Sequence, residues 1–212
     1  MTRKIRVLLV DDHAIVRNGV RLMLGEADDI SVDGEADTAQ RAMQLVRQQE
    51  FDVALLDIAM PDKNGLDLLK QIRSEKPKLA VLMLSTYAED IYAMRAIKLG
   101  AAGYLTKDSP TASLINAVRK AASGGKHVSP AMMEKLVSAI SGGASASHEA
   151  LSNRELEVLK LIAAGESLVK IAETLHLSPH TVTTYRARIL EKMGLSSNAE
   201  LTRYAIENGL LN

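Results

Sequence analysis

The first 125 residues alternate short apolar runs with stretches whose apolar residues recur at helical spacing. Residues 5–10 form one such run, and Val16, Val20 and Met23 then fall on one face of a helix. The same alternation predicts further strands at residues 30–36, 52–56, 80–84 and 102–106, with a helix after each. Five strand–helix units predict an α/β domain in which a doubly wound parallel sheet carries helices on both faces.

The second predicted strand contains a residue that does not fit a central position. Asp33 places a charge inside a run that otherwise has the pattern of a strand, and burying an unpaired charge costs several kcal/mol or more. An edge strand has one side open to solvent. We therefore predict that this strand lies at an edge of the sheet.

After Gly125 the strand pattern ends. Ser129 and Pro130 have the form of a helix N-cap and first residue, and apolar residues at 133, 136, 137 and 140 predict a short amphipathic helix. Residues 141–147 have the composition of a flexible linker. The remaining pattern predicts four helices, at about 152–163, 167–175, 178–192 and 197–207, and capping-box motifs mark the first and last of them at Ser152 and Ser197.

These patterns divide the chain into three segments. We predict an α/β domain at residues 1–125, a linker with a short helix at 126–149, and an all-α domain at 150–212. The chain has 26 Lys plus Arg and 26 Asp plus Glu, and 3% of its residues are aromatic. A neutral chain with few aromatic residues does not bind nucleic acid through bulk charge or base stacking, so any DNA contact must be local.

Two further absences in the sequence narrow the function. The chain has no cysteine, which excludes disulfides, cysteine-ligated metals and a cysteine nucleophile. Its longest apolar run, residues 79–84, is far shorter than a membrane span, and the first residues lack the pattern of a cleavable signal. We expect a cytoplasmic protein without a membrane partner.

Acidic residues follow two of the predicted strands. Asp11 and Asp12 end the first strand and Asp57 ends the third. A flavodoxin-like strand order, 2-1-3-4-5, would bring these carboxylates together at the carboxyl edge of the sheet, where ligands bind in such folds. Close carboxylates repel one another unless a cation lies between them, and hard oxygen ligands favour Mg²⁺. A single Asp at a strand end is as often a solvated turn residue.

Two other strand ends add complementary groups to this edge. Lys107 ends the fifth strand and supplies an ammonium, and Ser85 ends the fourth and supplies a hydroxyl. A carboxylate nucleophile, a divalent cation, a lysine and a hydroxyl together suit the capture of a phosphoryl group as an acyl phosphate. The predicted chemistry is therefore phosphoryl transfer to an aspartate.

Four motifs lie at the ends of the predicted strands. They are Leu8-Leu9-Val10-Asp11-Asp12-His13, Asp57-Ile58-Ala59-Met60-Pro61 with Gly65, Leu82-Met83-Leu84-Ser85, and Gly103-Tyr104-Leu105-Thr106-Lys107. These motifs resemble those of the receiver domain of two-component response regulators. The resemblance implies that Asp57 accepts a phosphoryl group from a sensor histidine kinase. It also implies that Asp11, Asp12, Asp57 and the backbone carbonyl of Ala59 hold Mg²⁺. Ser85, Thr86 and Lys107 would bind the phosphoryl oxygens, and Tyr104, a core residue by its pattern alone, would turn inward on activation.

The second half contains a helix-turn-helix pattern. Residues 171, 172 and 175 form one apolar stripe and 182, 189 and 193 another, separated by a short turn at 176–179. Thr183, Thr184, Ala187 and Arg188 lie opposite the second stripe, with Arg186 and Lys192 beside them. Such a face can enter the major groove of DNA. The pattern by itself also describes a plain four-helix structural module.

Three sequence motifs lie in this half of the chain. They are Leu151-Ser152-Asn153-Arg154-Glu155-Leu156-Glu157-Val158-Leu159, Leu177-Ser178-Pro179-His180-Thr181-Val182 and Lys192-Met193-Gly194. These motifs resemble those of LuxR-type DNA-binding domains. The whole chain is thus similar to NarL/FixJ-type regulators, and its recognition helix to a subgroup that includes Gac and Bvg regulators. The resemblance implies DNA contacts by Lys170, Ser178, His180, Thr181, Thr183, Thr184, Tyr185, Arg186, Ala187, Arg188 and Lys192. Thr183 stands where lysine is frequent, which predicts fewer phosphate contacts.

The combined prediction is a transcription factor controlled by phosphorylation. Its implied partners are a sensor histidine kinase, double-stranded promoter DNA, a second copy of itself on activation, and RNA polymerase. We expect a phosphoacceptor with at most weak self-dephosphorylation and not an enzyme. Two other hypotheses stay open on the sequence, a Mg²⁺-dependent phosphohydrolase with Asp57 as nucleophile and an interaction module that is never phosphorylated.

Overall fold

The computed structural model describes residues 3–60, 63–86, 89–130, 132–134 and 147–211. The chain forms two compact units, residues 1–140 and 141–212. Most of the short helix predicted at 133–140, and residues 141–146 of the predicted linker, lie outside the described residues. The boundaries predicted near residues 125 and 150 stay predictions. Within the described residues, no helix combines the length and apolarity needed to cross a membrane.

The first unit is a five-stranded parallel sheet with the strand order 2-1-3-4-5, which confirms the predicted fold. The strands and helices alternate along the chain, and the strand bounds lie within about one residue of the predicted ones. They are β1 Ile5–Val10, α1 Ala14–Gly25, β2 Ile30–Ala36, α2 Ala39–Gln48, β3 Val53–Asp57, α3 Gly65–Glu75, β4 Ala80–Ser85, α4 Glu89–Lys98, β5 Gly103–Thr106 and α5 Thr111–Ala122.

Burial explains why the central strands are apolar throughout. Every residue of β3 is buried, because this strand has neighbours on both sides and helices on both faces. On one face, Val7 and Leu9 of β1 pack in a single core with Leu24 of α1 and Leu114 of α5. Burying such side chains is the main favourable contribution to stability, about 1.5–3 kcal/mol for each.

The edge position of β2 confirms the explanation given for Asp33, and the structure adds a β-bulge at this residue. Val32 lies opposite Val7 and Gly34 opposite Leu8, so Asp33 is an extra residue in β2 with no partner in β1. A side chain at position 34 would meet Phe51, since a Cβ there would lie 2.7 Å from the Phe51 ring. Glycine at position 34, directly after the bulge, therefore makes room for the Phe51 ring.

The second unit is all-α, as predicted. A short 3-10 helix, Ser147–Ala150, precedes α6 Asn153–Ala163, α7 Leu168–Thr174, α8 Pro179–Met193 and α9 Asn198–Glu207. Buried apolar residues from all four α-helices form its core. The side chains that contribute most are Leu156, Leu159, Ile162, Ile171, Val182, Ile189 and Leu201.

The two predicted capping boxes differ in the structure. At α6 both halves are present, because Ser152 caps the Glu155 N–H and the Glu155 carboxylate accepts from the Ser152 N–H. At α9 the Ser197 side chain accepts from the Glu200 N–H, but the Glu200 carboxylate accepts from the N–H of Ser196. The Glu200 carboxylate thus binds chiefly the residue before the N-cap, and its interaction with the Ser197 N–H is the weaker one.

The turn between α7 and α8 is tight. His176 has a φ of 52°, which a residue with a side chain adopts at a cost, and the chain then enters α8 through Ser178 as N-cap and Pro179 as first helical residue. An Arg154 guanidinium nitrogen donates to the carbonyl oxygen of Leu175 at 2.7 Å. This contact ties the end of α7 to α6.

Candidate functional site

The carboxyl edge of the sheet brings together side chains from three strand ends. Asp11 follows β1, Asp57 is the last residue of β3 and Lys107 follows β5. Both aspartates are almost completely buried, with 1% and 2% of their surface exposed. Ala59 lies two residues beyond Asp57 in the loop after β3. The structure thus places the predicted acidic residues in one cluster.

Lys107 lies between the two buried carboxylates. Its Nζ is 2.6 Å from Oδ2 of Asp11 and 3.0 Å from Oδ2 of Asp57. Burial opposes the charge of this ammonium, but the two carboxylates outweigh that effect and raise the pKa of Lys107. The lysine is therefore positively charged at neutral pH and held against the site.

The charge in this cluster is not balanced. Burial raises the pKa of Asp57, and the nearby Asp11 carboxylate raises it further, while Lys107 and the Ile58 N–H act in the opposite direction. That N–H donates to Oδ1 of Asp57 at 2.8 Å. Two buried carboxylates share one lysine, so Asp57 carries a charge that the protein alone does not fully stabilise.

The remaining carboxylate oxygens suit a divalent cation. Asp11, Asp12, His13 and Asp57 each offer a ligand atom, and these atoms lie within 4.8 Å of one another. One oxygen each of Asp11, Asp12 and Asp57 is buried, and its close contact among the described residues is a side-chain nitrogen. That nitrogen is the Lys107 Nζ for Asp11 and Asp57 and the His13 Nδ1 for Asp12. Buried carboxylate oxygens that lie this close together are suitable ligands for Mg²⁺.

The residues predicted to bind phosphoryl oxygens differ in exposure. Ser85 is the last residue of β4 and is completely buried, whereas Thr86 after it is exposed. Tyr104 on β5 is 5% exposed, so its side chain lies inside the fold. The Lys107 N–H donates to the Ser85 carbonyl at 2.8 Å, which joins the ends of β4 and β5. Ser85 and Lys107 therefore lie on adjacent strand ends.

The exposed face of α8 agrees with the pattern in the sequence. Val182, Ile189 and Met193 are buried, and the residues predicted to face outward, Thr183, Thr184, Ala187 and Arg188, are exposed. Ser178, His180 and Lys170 are exposed too, while Thr181 and Tyr185 are half-buried. The Thr183 and Thr184 hydroxyls donate to the carbonyls four residues earlier, at 3.0 and 3.1 Å. The face carries small side chains at its centre.

Two of the cations predicted to contact DNA pair with residues on other helices of the unit. Nε of Arg186 donates to Oδ1 of Asn198 at 2.6 Å. Nζ of Lys192 lies 2.7 Å from Oε2 of Glu155, a carboxylate that is only 3% exposed. The structure therefore gives both cations an internal role, and their DNA contacts stay predictions.

Comparison with known proteins identifies both units. A family model of the response regulator receiver domain matches residues 7–119, and a model of the luxR family of bacterial regulatory proteins matches residues 149–205. The chain belongs to the response regulators. This response regulator combines a receiver unit with a LuxR-type DNA-binding unit, the composition of a two-component transcriptional regulator.

Relatives match this response regulator over nearly its full length. It is 34% identical over 209 residues to response regulator GacA of Pseudomonas protegens, covering 98% of each chain. It is 35% identical over 210 residues to response regulator UvrY of Escherichia coli, covering 98% of this chain and 96% of UvrY. RcsB of Salmonella enterica serovar Typhimurium, solved bound to promoter rprA with the phosphomimetic BeF3⁻, matches with a TM-score of 0.66 and 25% identity over 95% of this chain and 98% of RcsB.

Sequence reasoning missed four residues that shape the two sites. His13 lies beside the acidic cluster, with Nδ1 2.9 Å from Oδ1 of Asp12. Arg17 donates to the Asp11 carbonyl and lies near Glu35, and Glu155 binds Lys192. The capping motif was a signal for Glu155, but its lysine partner is 37 residues away in the chain. Such pairings depend on packing and leave no local pattern.

Proposed function

We propose that Asp57 is the phosphoacceptor of this response regulator. The observation that supports this assignment is its buried Oδ2, which lies 3.0 Å from a Lys107 ammonium that it shares with the Asp11 carboxylate. A carboxylate oxygen with an incompletely stabilised charge is a competent nucleophile. The phosphoryl donor is the phosphohistidine of a sensor histidine kinase: the carboxylate–phosphorus bond forms, the phosphorus–nitrogen bond breaks, and the imidazole takes a proton from solvent.

We propose that Asp11, Asp12 and Asp57, with the backbone carbonyl of Ala59, hold Mg²⁺. The ion would offset the negative charge of the carboxylates and of the incoming phosphoryl group. Among the described residues, Lys107 provides a further positive charge, and its contact with Asp11 keeps the ammonium at the edge of the site. Burial of both aspartates keeps bulk water away from the acceptor oxygen.

We propose that the phosphoryl group changes the ends of β4 and β5. It adds nearly two negative charges to this site. Lys107, Ser85 and Thr86 are the donors available to its oxygens, and Thr86 must turn inward from its exposed position to take part. Tyr104, on the adjacent strand, is the aromatic side chain that responds to this movement.

We propose that the DNA-binding unit inserts α8 into the major groove of promoter DNA. The small exposed residues of α8 can approach base edges, and Lys170, Ser178, His180, Thr181, Tyr185, Arg186, Arg188 and Lys192 surround them. RcsB, a relative solved on promoter DNA, supports this role. Two copies would bind paired half-sites after phosphorylation, in the cytoplasm, where RNA polymerase is the further partner.

An acyl-phosphate donor tests the assignment of Asp57. The full chain, its Asp57→Asn variant and a control variant, Asp28→Asn, are incubated with the donor and Mg²⁺, and their intact masses are measured. Asp28 is exposed, so its substitution leaves the site unchanged. We expect one added phosphoryl group in the wild type and in Asp28→Asn and none in Asp57→Asn. A phosphoryl group on Asp57→Asn, or continuous release of inorganic phosphate in place of a stable adduct, would contradict the proposal.

DNA binding provides the second readout of the same experiment. A mobility-shift assay on promoter DNA compares the phosphorylated and unphosphorylated chain at fixed salt concentration, because phosphate contacts depend on salt. We expect tighter binding and a larger complex after phosphorylation. Equal binding by the wild type and Asp57→Asn in the presence of the donor would show that the receiver does not control DNA binding in this way.

A further inference from the structure

The bulge in β2 decides which face of the sheet the following residues occupy. Val32 lies opposite Val7, and Glu35 lies opposite Leu9, and both of these β1 residues point into the core under α1 and α5. In a regular strand, residues three apart point to opposite faces. The extra residue, Asp33, restores Glu35 to the same face as Val32. The bulge therefore turns a charged side chain toward α1.

Two arginines of α1 form ion pairs with the Glu35 carboxylate. Nε of Arg17 is 3.7 Å from Oε2 of Glu35, and Nη1 of Arg21 is 3.6 Å from Oε1. Arg17 is the more buried of the two, with 18% of its side chain exposed against 54% for Arg21. Glu35 thus lies between two cations on successive turns of the helix.

Arg17 continues this contact to the acidic cluster. Its Nη1 donates to the backbone carbonyl oxygen of Asp11 at 2.6 Å. The Asp11 N–H on the other side of the residue donates to the carbonyl of Ala36, the neighbour of Glu35, at 3.1 Å. The main chain of Asp11 is therefore held at both its N–H and its carbonyl by contacts that originate in β2 and α1.

We propose that Arg17 and Glu35 are positioning residues for the divalent cation. Glu35 orients Arg17, and Arg17 fixes the Asp11 carbonyl, which sets where the Asp11 and Asp12 side chains leave the turn. Residues that orient metal ligands through a second layer of contacts commonly control metal affinity. The inference rests on the proposed Mg²⁺ site at Asp11, Asp12 and Asp57.

Arg21 offers a matched control within the same cluster. It lies on the same helix and pairs with the same carboxylate at nearly the same distance, but its other contact is with Asn18 and not with Asp11. Loss of Arg21 removes a charge next to Glu35 without removing a contact to the Asp11 turn. The difference between the two arginines therefore isolates positioning from local charge.

Mg²⁺ titration of the full chain by isothermal calorimetry tests the proposal. The proteins are the wild type, Arg17→Gln, Glu35→Gln and Arg21→Gln, each also melted in EDTA to measure its fold without metal. For Arg17→Gln we expect about tenfold weaker Mg²⁺ binding, the low end of the range for outer contacts of metal ligands. Glu35→Gln should show a smaller change in the same direction, and Arg21→Gln should match the wild type.

Phosphorylation by an acyl-phosphate donor gives the second readout. For Arg17→Gln we expect the Mg²⁺ concentration at half-maximal rate to rise, with the rate at saturating Mg²⁺ kept. Equal effects of Arg17→Gln and Arg21→Gln, or a lower melting temperature of Arg17→Gln with unchanged Mg²⁺ affinity, would overturn the positioning role. If Arg17→Gln does not fold, the Mg²⁺ affinity and melting temperature of Glu35→Gln, compared with those of Arg21→Gln, test the positioning role.

The same measurements separate this inference from the function on which it rests. A wild-type chain that neither binds Mg²⁺ nor accepts a phosphoryl group would overturn both. A wild-type chain that does both, with Arg17→Gln and Glu35→Gln indistinguishable from it, would overturn the positioning role alone.

Discussion

Each unit of this response regulator contains a lysine against a buried carboxylate, and the two arrangements differ in how the carboxylate is satisfied. In the receiver unit, Lys107 faces two carboxylates, Asp11 and Asp57, and the pKa of Asp57 is raised. In the DNA-binding unit, Lys192 faces one carboxylate, Glu155, whose pKa is lowered: burial raises it, but Lys192 and the Ser152 groups outweigh burial. The pKa of the buried carboxylate is thus shifted in opposite directions in the two units.

The two carboxylates differ in the number of partners that stabilise their charge. Glu155 accepts from Lys192 at 2.7 Å and from the Ser152 N–H at 2.7 Å, so its charge is matched within the fold. Asp57 accepts one backbone N–H and shares its lysine. Removing a matched buried carboxylate leaves its partners unpaired and destabilises the structure, whereas an incompletely matched carboxylate keeps a capacity to bind a cation or to react.

The largest expected effect is the loss of the matched carboxylate. Glu155→Gln should lower the free energy of unfolding by about 1–2 kcal/mol, because charged hydrogen bonds become neutral ones at the start of α6. Urea unfolding of the full chain, followed by circular dichroism, measures this change. Glu166→Gln is the control, since Glu166 is exposed, and its effect should stay within about 0.5 kcal/mol. Equal effects of the two substitutions would contradict the claim that the charge of Glu155 is matched within the fold.

The second expected effect is a gain in stability on substitution of Asp57. Without metal, Asp57→Asn should raise the melting temperature by a few degrees, because it removes a buried charge that the fold does not fully stabilise. Addition of Mg²⁺ should stabilise the wild type and reduce the difference between the two proteins. Calorimetric melting in EDTA and in Mg²⁺ measures both. A lower melting temperature of Asp57→Asn in EDTA would show that Asp57 is a matched carboxylate like Glu155.

The same contrast sets a pH dependence for each residue. The pKa of Asp57 is raised on folding, so its penalty is absent below the pKa of an unfolded aspartate, grows as pH rises from there to the folded pKa, and is complete above the folded pKa. The stabilising contribution of Glu155 is complete above the pKa of an unfolded glutamate and is lost as pH falls through its lowered folded pKa. The advantage of Asp57→Asn over the wild type in EDTA should therefore shrink on acidification.

The smallest expected effect concerns the salt dependence of DNA binding. Lys170 is exposed and its partner Glu173 is a surface residue at 3.6 Å, whereas the ammonium of Lys192 is held at Glu155. Lys170→Met should reduce the slope of log affinity against log salt by about 0.9, the value for one phosphate contact. Lys192→Met should change this slope less and lower stability more. Fluorescence anisotropy on promoter DNA across salt concentrations, with urea unfolding of both variants, separates the two lysines.

Much of the fold could be predicted because its signals are local. Strand and helix periods and the N-caps at Ser152 and Ser197 involve residues close together in the chain. The acidic cluster followed from a single further assumption, the strand order, because parallel strands end at one edge. The paired helix-turn-helix stripes followed from the same periodicity. Their DNA contacts rest on resemblance and await the salt titration.

By itself, the sequence determined which segments form strands and helices and which acidic residues stand at strand ends. Only the tertiary structure decided which charges are matched. The bulge at Asp33 turns Glu35 toward Arg17, and packing of α8 against α6 brings Lys192 to Glu155. Secondary structure depends on neighbours along the chain, but the balance of a buried charge depends on burial and on partners far away in sequence, and these exist only after folding.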